Sequence, residues 1–591
     1  MKRCPECGRE YDNTMMFCLD DGAELLYGPA TGRSEPPASA GGRFGDEPQT
    51  AILSEPPAVA GGLTGATDET DVKTAILQPP GSGTDDVPVL RTSPATAAGG
   101  SDRRAKPLIA ALAVVVLLLG GFFGYRYFNQ SGGGQINSIA VLPFENRSGS
   151  GDTEYLSDGL ADSLIYRLAQ LPNLKVSPTS SVMRYKGSAT DVARIAEELD
   201  VDAVMSGRLS QRGDDLSISV QLIDSRTKKL IWAEQYDRKM TDLLATQREI
   251  ATTITQKLQL QLSGESEQKL AKKYTNNDEA YQLYLRGQYH LARRSKDDLL
   301  KAIEYYEQAI KLDPDFALAY VGMSYAYSSG IGNSFLPVSY EEGISRAKNA
   351  AVRAGEIDPN LAEAHSAMGT AFRLEWKWPE AERALKKALE IDPNNASAHY
   401  FYGLYLQSVG RTGDAVREIK MAVDLEPMSL IMQANLGGAY LFDRQSQLGL
   451  DQAKRTFDLD PNFISGRFWL AYAYTVNQKF AEAIELMESA PIDEVSQRLL
   501  ARFRGYAYAK SGRRSEAEAI LNKYRSDPEF SAQSAAMIYG ALGEKDKAFA
   551  ALDIGFTRKQ DMARMKVDPL FDDLRDDPRF AALLKRMGLP E

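Results

Sequence analysis

The sequence predicts a multidomain chain with five kinds of segment: a small metal-stapled head, a disordered linker, one transmembrane helix, a mixed α/β domain and a long C-terminal array of repeats. Three observations predict it. All three cysteines fall within the first 18 of 591 residues, a 19-residue stretch without a charge follows a Pro/Gly-rich region, and beyond residue 273 an acid-Pro marker returns at intervals of 34. At about 100–200 residues per domain, this length exceeds what one core can organise. The net charge of −11 argues against a nucleic-acid partner. With three His in all and no Cys after position 18, disulfides and Cys-based catalysis are excluded from the rest of the chain.

The head, residues 1–27, carries Cys4 and Cys7 as C-x-x-C, then Cys18 and Asp21 as C-x-x-D. Four ligands at those spacings suit tetrahedral Zn2+, with Asp20 a poorer substitute for Asp21. So short a segment has too little apolar surface to fold unaided, and a closed ligand set assigns the metal a structural role. The head resembles short zinc ribbons, whose second pair is ordinarily C-x-x-C; a carboxylate here replaces the last thiolate in a sulfur-rich site.

Residues 28–106 are read as a disordered linker, because 28–102 hold 12 Gly and 10 Pro and a net charge of −6, which extends the chain and denies it a core. It contains Thr50-Ala-Ile-Leu53 and Thr74-Ala-Ile-Leu77. These resemble what phosphothreonine-reading forkhead-associated domains accept, which implies phosphorylation and a cytoplasmic kinase or reader; a duplication of low-complexity sequence is the other reading. The segment 107–128 begins with PLIAALAVVVLLLGGFFGY, long enough as a helix to span about 28 Å, one bilayer core. Arg103, Arg104 and Lys106 precede it and only Arg126 follows at once, so the N-terminus is expected in the cytoplasm and the C-terminal domains outside a bacterial inner membrane. That orientation leaves every thiol on the reducing side.

Residues 136–262 read as the mixed α/β domain. A strand Ile139–Phe144 precedes an amphipathic helix, EYLSDGLADSLIYRLAQL; then come a strand near Leu174–Ser177, a helix near Val192–Leu199, three strands with a hairpin turn at Ser225–Lys228, and a helix over 240–262. The strings IAVLPFENRSGSGDTEYLSDGLADSLIYRLA and YKGSATDVARIAEELDVDAVMSGRL resemble the TolB-type amino-terminal domain of bacterial membrane proteins. Related chains place that domain between a membrane span and helical repeats and carry a kinase, cyclase or DNA-binding module on the cytoplasmic side. No P-loop and no kinase motif set occurs here, so the chain is read as non-enzymatic. Asp158 and Asp162, one turn apart, are expected to be solvated or capping.

The array carries Pro314, Pro359, Pro393, Pro427 and Pro461, the last three intervals being 34 and the first 45, with GIGNSFLPVSY as the insertion. A second ladder, Gly369, Gly403, Gly437, Ala471 and Gly505, keeps the same period. These ladders resemble the tetratricopeptide repeat, a helix-turn-helix unit, and imply an all-α solenoid of about eight repeats over 273–560 with a concave partner-binding surface. The segment 561–591 is expected to cap its open end. By that resemblance the groove positions are Tyr400, Leu404, Leu441, Phe468, Tyr472, Arg502 and Tyr506, offering aromatic area to an extended or helical peptide; packing between repeats is the other use for these rings. The sites matching a carboxylate clamp hold Thr370, Leu404, Gly438 and Tyr472, so no such clamp is expected. His365 and His399, one period apart, are expected to pack on one another. The functional expectation is a membrane-anchored adaptor for protein or peptide partners. The alternatives are a transmembrane signal transducer and a cell-envelope assembly factor.

Overall fold

The computed structural model describes residues 2–3, 10–11, 136–148, 153–187, 191–260, 262–332, 335–489, 494–527, 530–560 and 562–589. The zinc-ligand candidates Cys4, Cys7, Cys18 and Asp21, the linker with Thr50 and Thr74, and the span 107–128 lie outside the described residues. The chain divides into two units, Met1–Ala105 and Lys106–Glu591. In the first, β1 (Lys2–Arg3) pairs antiparallel with β2 (Glu10–Tyr11).

The second unit begins with a six-stranded mixed sheet. Its strands are β3 (Ser138–Val141), β4 (Glu145–Asn146), β5 (Lys175–Val176), β6 (Ala203–Arg212), β7 (Asp215–Asp224) and β8 (Lys229–Lys239), in the order β5-β3-β6-β7-β8 with β4 also on β6. β3 is parallel to β5 and β6 and buried along its whole length, as a central strand covered on both faces must be. β6, β7 and β8 form an antiparallel meander, and in β7 Leu216, Ile218, Val220 and Leu222 point inward in strict alternation. The strand expected to reach Phe144 stops at Val141, because Pro143 has no N–H to give to a ladder.

Helix α1 (Glu154–Ala169) crosses the sheet, α2 (Val192–Leu199) precedes β6, and α3 (Leu243–Lys257) follows β8. The helix expected to run unbroken over 240–262 ends at Lys257; Gln259 takes a left-handed φ of 54° and the chain restarts as α4 (Gly264–Ala271).

Among the described residues from Asp278 to Thr557, sixteen helices pair into eight hairpins: α5/α6 (Asp278–Arg293, Lys296–Leu312), α7/α8 (Ala317–Gly332, Tyr340–Ile357), α9/α10 (Ala362–Leu374, Trp378–Ile391), α11/α12 (Ala396–Val409, Thr412–Leu425), α13/α14 (Leu430–Phe442, Ser446–Leu459), α15/α16 (Ile464–Val476, Phe480–Glu488), α17/α18 (Glu494–Lys510, Arg514–Lys523) and α19/α20 (Ala532–Ala541, Lys545–Thr557). Two regularities explain the register. One residue within each inter-helix turn is left-handed in five successive repeats, at Trp376, Gly410, Arg444, Gln478 and Gly512, each 34 after the last. Six residues beyond the last four ladder prolines, a side chain bonds that proline's carbonyl: His365 to Pro359 (2.8 Å), His399 to Pro393 (3.0 Å), Gln433 to Pro427 (2.7 Å) and Arg467 to Pro461 (3.3 Å). The two histidines therefore do not pack on one another; each closes the turn of its own repeat, occupying a carbonyl left free where the preceding helix ends.

The solenoid is joined to the α/β domain through α1 and α5. Gly159 makes this fit possible, since a Cβ there would stand 3.0 Å from Leu285 Cδ2. The Tyr281 hydroxyl donates to Ser163 Oγ (2.9 Å), and the buried Arg167 donates to the carbonyls of Leu270 (3.2 Å) and Lys272 (3.0 Å).

The C-terminal segment does more than cover an open end. After packing Leu574 and Phe580 onto the last repeats, it runs back to the third, where Trp378 Nε1 donates to the Met587 carbonyl (2.9 Å); beside it Trp376 stacks on Phe556 of α20 at 5.5 Å, and Lys559 pairs with Glu341 of the second repeat at 3.0 Å. The solenoid thus closes on itself. Its tail carries large apolar groups, Met562, Met565, Phe571 and Leu574 among them, that a single terminal repeat is too small to bury.

Candidate functional site

Closure surrounds a half-open lumen of about 2700 Å3, lined by α1, the helices of the repeats and the tail. Of the seven sequence-derived groove positions, Tyr400, Leu404, Phe468, Tyr472 and Arg502 line it. Two do not line it. Leu441 is fully buried with its Cγ against Gly449, inside its own hairpin, and Tyr506 is covered near Asp573 of the tail. Both were placed in the groove by the resemblance; a side chain one helical step round turns to its partner helix or to the tail instead.

Tyr472 faces the lumen, yet its hydroxyl donates to Asp568 of the tail at 2.7 Å. Burial, with Asp568 beside it, pushes that hydroxyl far up, and burial also raises the Asp568 carboxyl. This tyrosine therefore holds the tail and presents a ring, but no free hydroxyl, to the lumen. Arg502 lies over Phe468 (5.8 Å) and Phe503 (6.0 Å), completing an aromatic patch with Trp469 and Phe442.

The lumen has two charged regions that helix periodicity alone did not bring together. Beside α1 stand three carboxyls, Asp162, Glu363 and Glu426. Burial raises all three; Asp162 accepts from Thr179 Oγ1 (2.5 Å), Glu363 accepts from Asn395 Nδ2 (3.1 Å), and Glu426, which also feels Asp162, is pushed up to about 7. Asp162 is consequently no solvated surface acid. Asp158 is also mostly covered, held by Lys186 Nζ at 2.7 Å. Around Tyr400 stand Arg294, Arg373 and Arg564, from the first repeat, the third repeat and the tail.

Among the described residues, no group of three or more His, Cys, Asp or Glu side chains is placed to hold a metal ion, and no helix is long and apolar enough to cross a membrane.

The class this geometry defines is a helix-pair solenoid carrying tetratricopeptide repeats, whose general business is protein–protein interaction. Tetratricopeptide repeat models match residues 291–316 and 362–395. The α/β domain is similar to the second domain of HilA/YgeH-like transcriptional regulators, matched over residues 135–253. A protein of Rhizobium meliloti (strain 1021) named "Putative adenylate cyclase 3" is 29% identical over 247 residues, 42% of this chain and 42% of that protein, so the chain spans less than half the length of this relative. Among solved structures, Pseudomonas aeruginosa PilF is 20% identical, with 36% of this chain and 94% of that one covered and a TM-score of 0.28. A thermophilic tetratricopeptide-repeat protein of Thermus thermophilus is 17% identical, covering 33% and 98%, with a TM-score of 0.29.

Proposed function

We propose that the chain is a non-enzymatic, membrane-anchored adaptor that binds a protein or peptide partner in the lumen of its repeat ring. The lumen carries this reading: about 2700 Å3 is larger than the ~300–1,000 Å3 of small-molecule sites and suits a length of polypeptide. Aromatic rings supply contact area and the charged groups supply orientation. In this reading residues 107–128 cross the inner membrane once, the ring and its TolB-type domain stand outside, and Cys4, Cys7, Cys18 and Asp21 hold a structural Zn2+ inside. The β1–β2 pairing supports the last element, since those strands bracket Cys4 and Cys7 in sequence.

A photo-crosslinking amino acid at Phe468 or Leu404, introduced in the native cell, tests the reading. The expected result is one or a few crosslinked polypeptides that the same group at the exposed Leu448 does not give. No crosslink from the lumen positions overturns it, and cyclic-nucleotide formation by the purified chain overturns its non-enzymatic part.

A second reading, the signal transducer, is favoured by Asp162. This residue of the α/β domain lines the same lumen as the repeats, so a lumen ligand would act directly on the domain nearest the span. The names of the matched regulator and cyclase point the same way.

A further inference from the structure

We propose that the lumen wall around Tyr400 is an anion site, formed by Arg294, Arg373 and Arg564, that receives a carboxylate-bearing stretch of a peptide. The inference rests on the lumen being the binding surface and adds the chemistry of what enters it.

The three guanidinium groups come from distant parts of the chain: the turn between α5 and α6, the last turn of α9, and the tail just past α20. Each lines the lumen, and each acts electrostatically on the Tyr400 hydroxyl. Arg294 sits at a left-handed φ of 58°, a conformation strained for any residue with a Cβ and occupied freely by glycine at the corresponding Gly410. Burial disfavours its charge. Arg564 is steadied chiefly by rings, standing 5.8 Å from the centroid of Phe442 and 5.6 Å from that of Trp469. Asp568 feels the Arg564 charge, but its Oδ1 already accepts from the Tyr472 hydroxyl and the Leu570 N–H. Among the described residues no carboxylate is within ion-pair distance of Arg294 or Arg564.

Like charges gathered in a lumen repel, and a fold does not gain stability from that arrangement; an anion between them converts the repulsion into charge-assisted hydrogen bonds. Of the carboxyls that line the lumen, Asp162, Glu363 and Glu426 are grouped beside α1 and biased by burial toward their neutral forms, Asp568 is engaged by Tyr472 and Leu570, Glu341 pairs with Lys559, and among the described residues none reaches Arg294 or Arg564. The adjoining rings of Phe442, Phe468 and Trp469 give apolar side chains a surface, so the ligand alternates acid with apolar residues. The volume assigns the site to a peptide in preference to a small anion.

The test uses the full-length chain and three fluorescein-labelled peptides, EFEEFE, QFQQFQ and KFKKFK, read by anisotropy. EFEEFE is expected to bind at least about tenfold tighter than either other peptide, with an affinity that falls as salt rises. Arg294→Gln and Arg564→Gln are each expected to weaken it about tenfold, and Arg294→Lys less, with unchanged melting temperatures separating lost binding from lost fold. Equal affinity for EFEEFE and QFQQFQ, full affinity in both Gln variants, or no binding of EFEEFE up to about 1 mM overturns the site. Inorganic phosphate that raises the melting temperature of the wild type alone, with EFEEFE unbound, overturns the assignment to a peptide. Crosslinking from Phe468 reports on the lumen independently, so the anion site can fail while the lumen reading stands.

Discussion

The two ends of the repeat solenoid are both held, by different physics. At the N-terminal end the joint is a shape fit: Gly159 lets α1 lie against Leu285, and around it Ser163, Arg167 and Asp278 make buried or half-buried hydrogen bonds. At the C-terminal end buried apolar groups, Phe571 and Leu574, are rimmed by half-exposed ion pairs, Arg444 with Asp572 (2.7 Å) and Lys510 with Asp573 (2.7 Å). Exposed pairs contribute only about 0–1 kcal/mol. The difference teaches that the α/β domain is tied to the first repeat by steric complementarity, whereas ring closure takes its energy from the tail's apolar groups and its register from charge.

The largest effect follows from the closing end. Phe571→Ala removes a fully buried ring packed 6.1 Å from Phe580 and is expected to destabilise by about 3–5 kcal/mol, seen as a lower denaturation midpoint together with early proteolysis of the tail. Next comes the joint. Gly159→Val drives new methyl groups into Leu285 and should cost about 1–3 kcal/mol, loosening the α/β domain so that protease separates it from the repeats. Leu285→Ala in the same chain returns the space, so the double variant should be more stable than additivity predicts. Additivity would mean that the two helices do not meet at this glycine.

A smaller effect concerns what the N-terminal end brings into the lumen. The Glu426 carboxyl, raised from 4.5 to about 7 by burial and by Asp162 of the α/β domain, binds its proton more tightly folded than unfolded. Stability from this group is therefore present below pH 4.5 and is lost as pH rises toward 7. Glu426→Gln should match the wild type at acid pH and exceed it by about 1–2 kcal/mol near pH 8, lumen water screening the remainder. A parallel pH profile in both chains would remove Asp162 and burial as the cause.

How much of this was legible varied with the range of the interaction responsible. The hairpins were legible because the proline and small-residue ladders are local and periodic. The β6–β8 meander was legible because its alternation is local as well. The carbonyl-capping side chains at positions 365, 399, 433 and 467 also keep a 34-residue spacing, and escape notice because His, Gln and Arg share no obvious type, only a donor. Ring closure was not legible: Trp378 to Met587 spans 209 residues, and no periodicity encodes a contact that happens once. The arginines at 294, 373 and 564 converge only because of that closure, and for the same reason Tyr472 and Tyr506 read as free groove residues in a sequence that does not reveal how the tail holds them.

The smallest effect separates backbone strain from charge at the closing end. Arg444 is left-handed, φ 62°, at the turn position where Gly410 and Gly512 stand in neighbouring repeats, and its guanidinium forks onto both carboxylate oxygens of Asp572 (2.7 and 2.9 Å). Arg444→Ala loses the pair and keeps the strained conformation. Arg444→Gly loses the pair but relieves the strain, about 1 kcal/mol in its favour. The glycine variant should therefore lie within about 0.5 kcal/mol of the wild type at low salt and the alanine variant about 0–1 kcal/mol below it. Raising salt should weaken the wild type toward the variants, because only it has the half-exposed Arg444–Asp572 pair to screen. If Ala and Gly prove equal, the left-handed turn carries no cost there, and the ion pair alone explains why arginine, and not glycine, occupies this rung of the ladder.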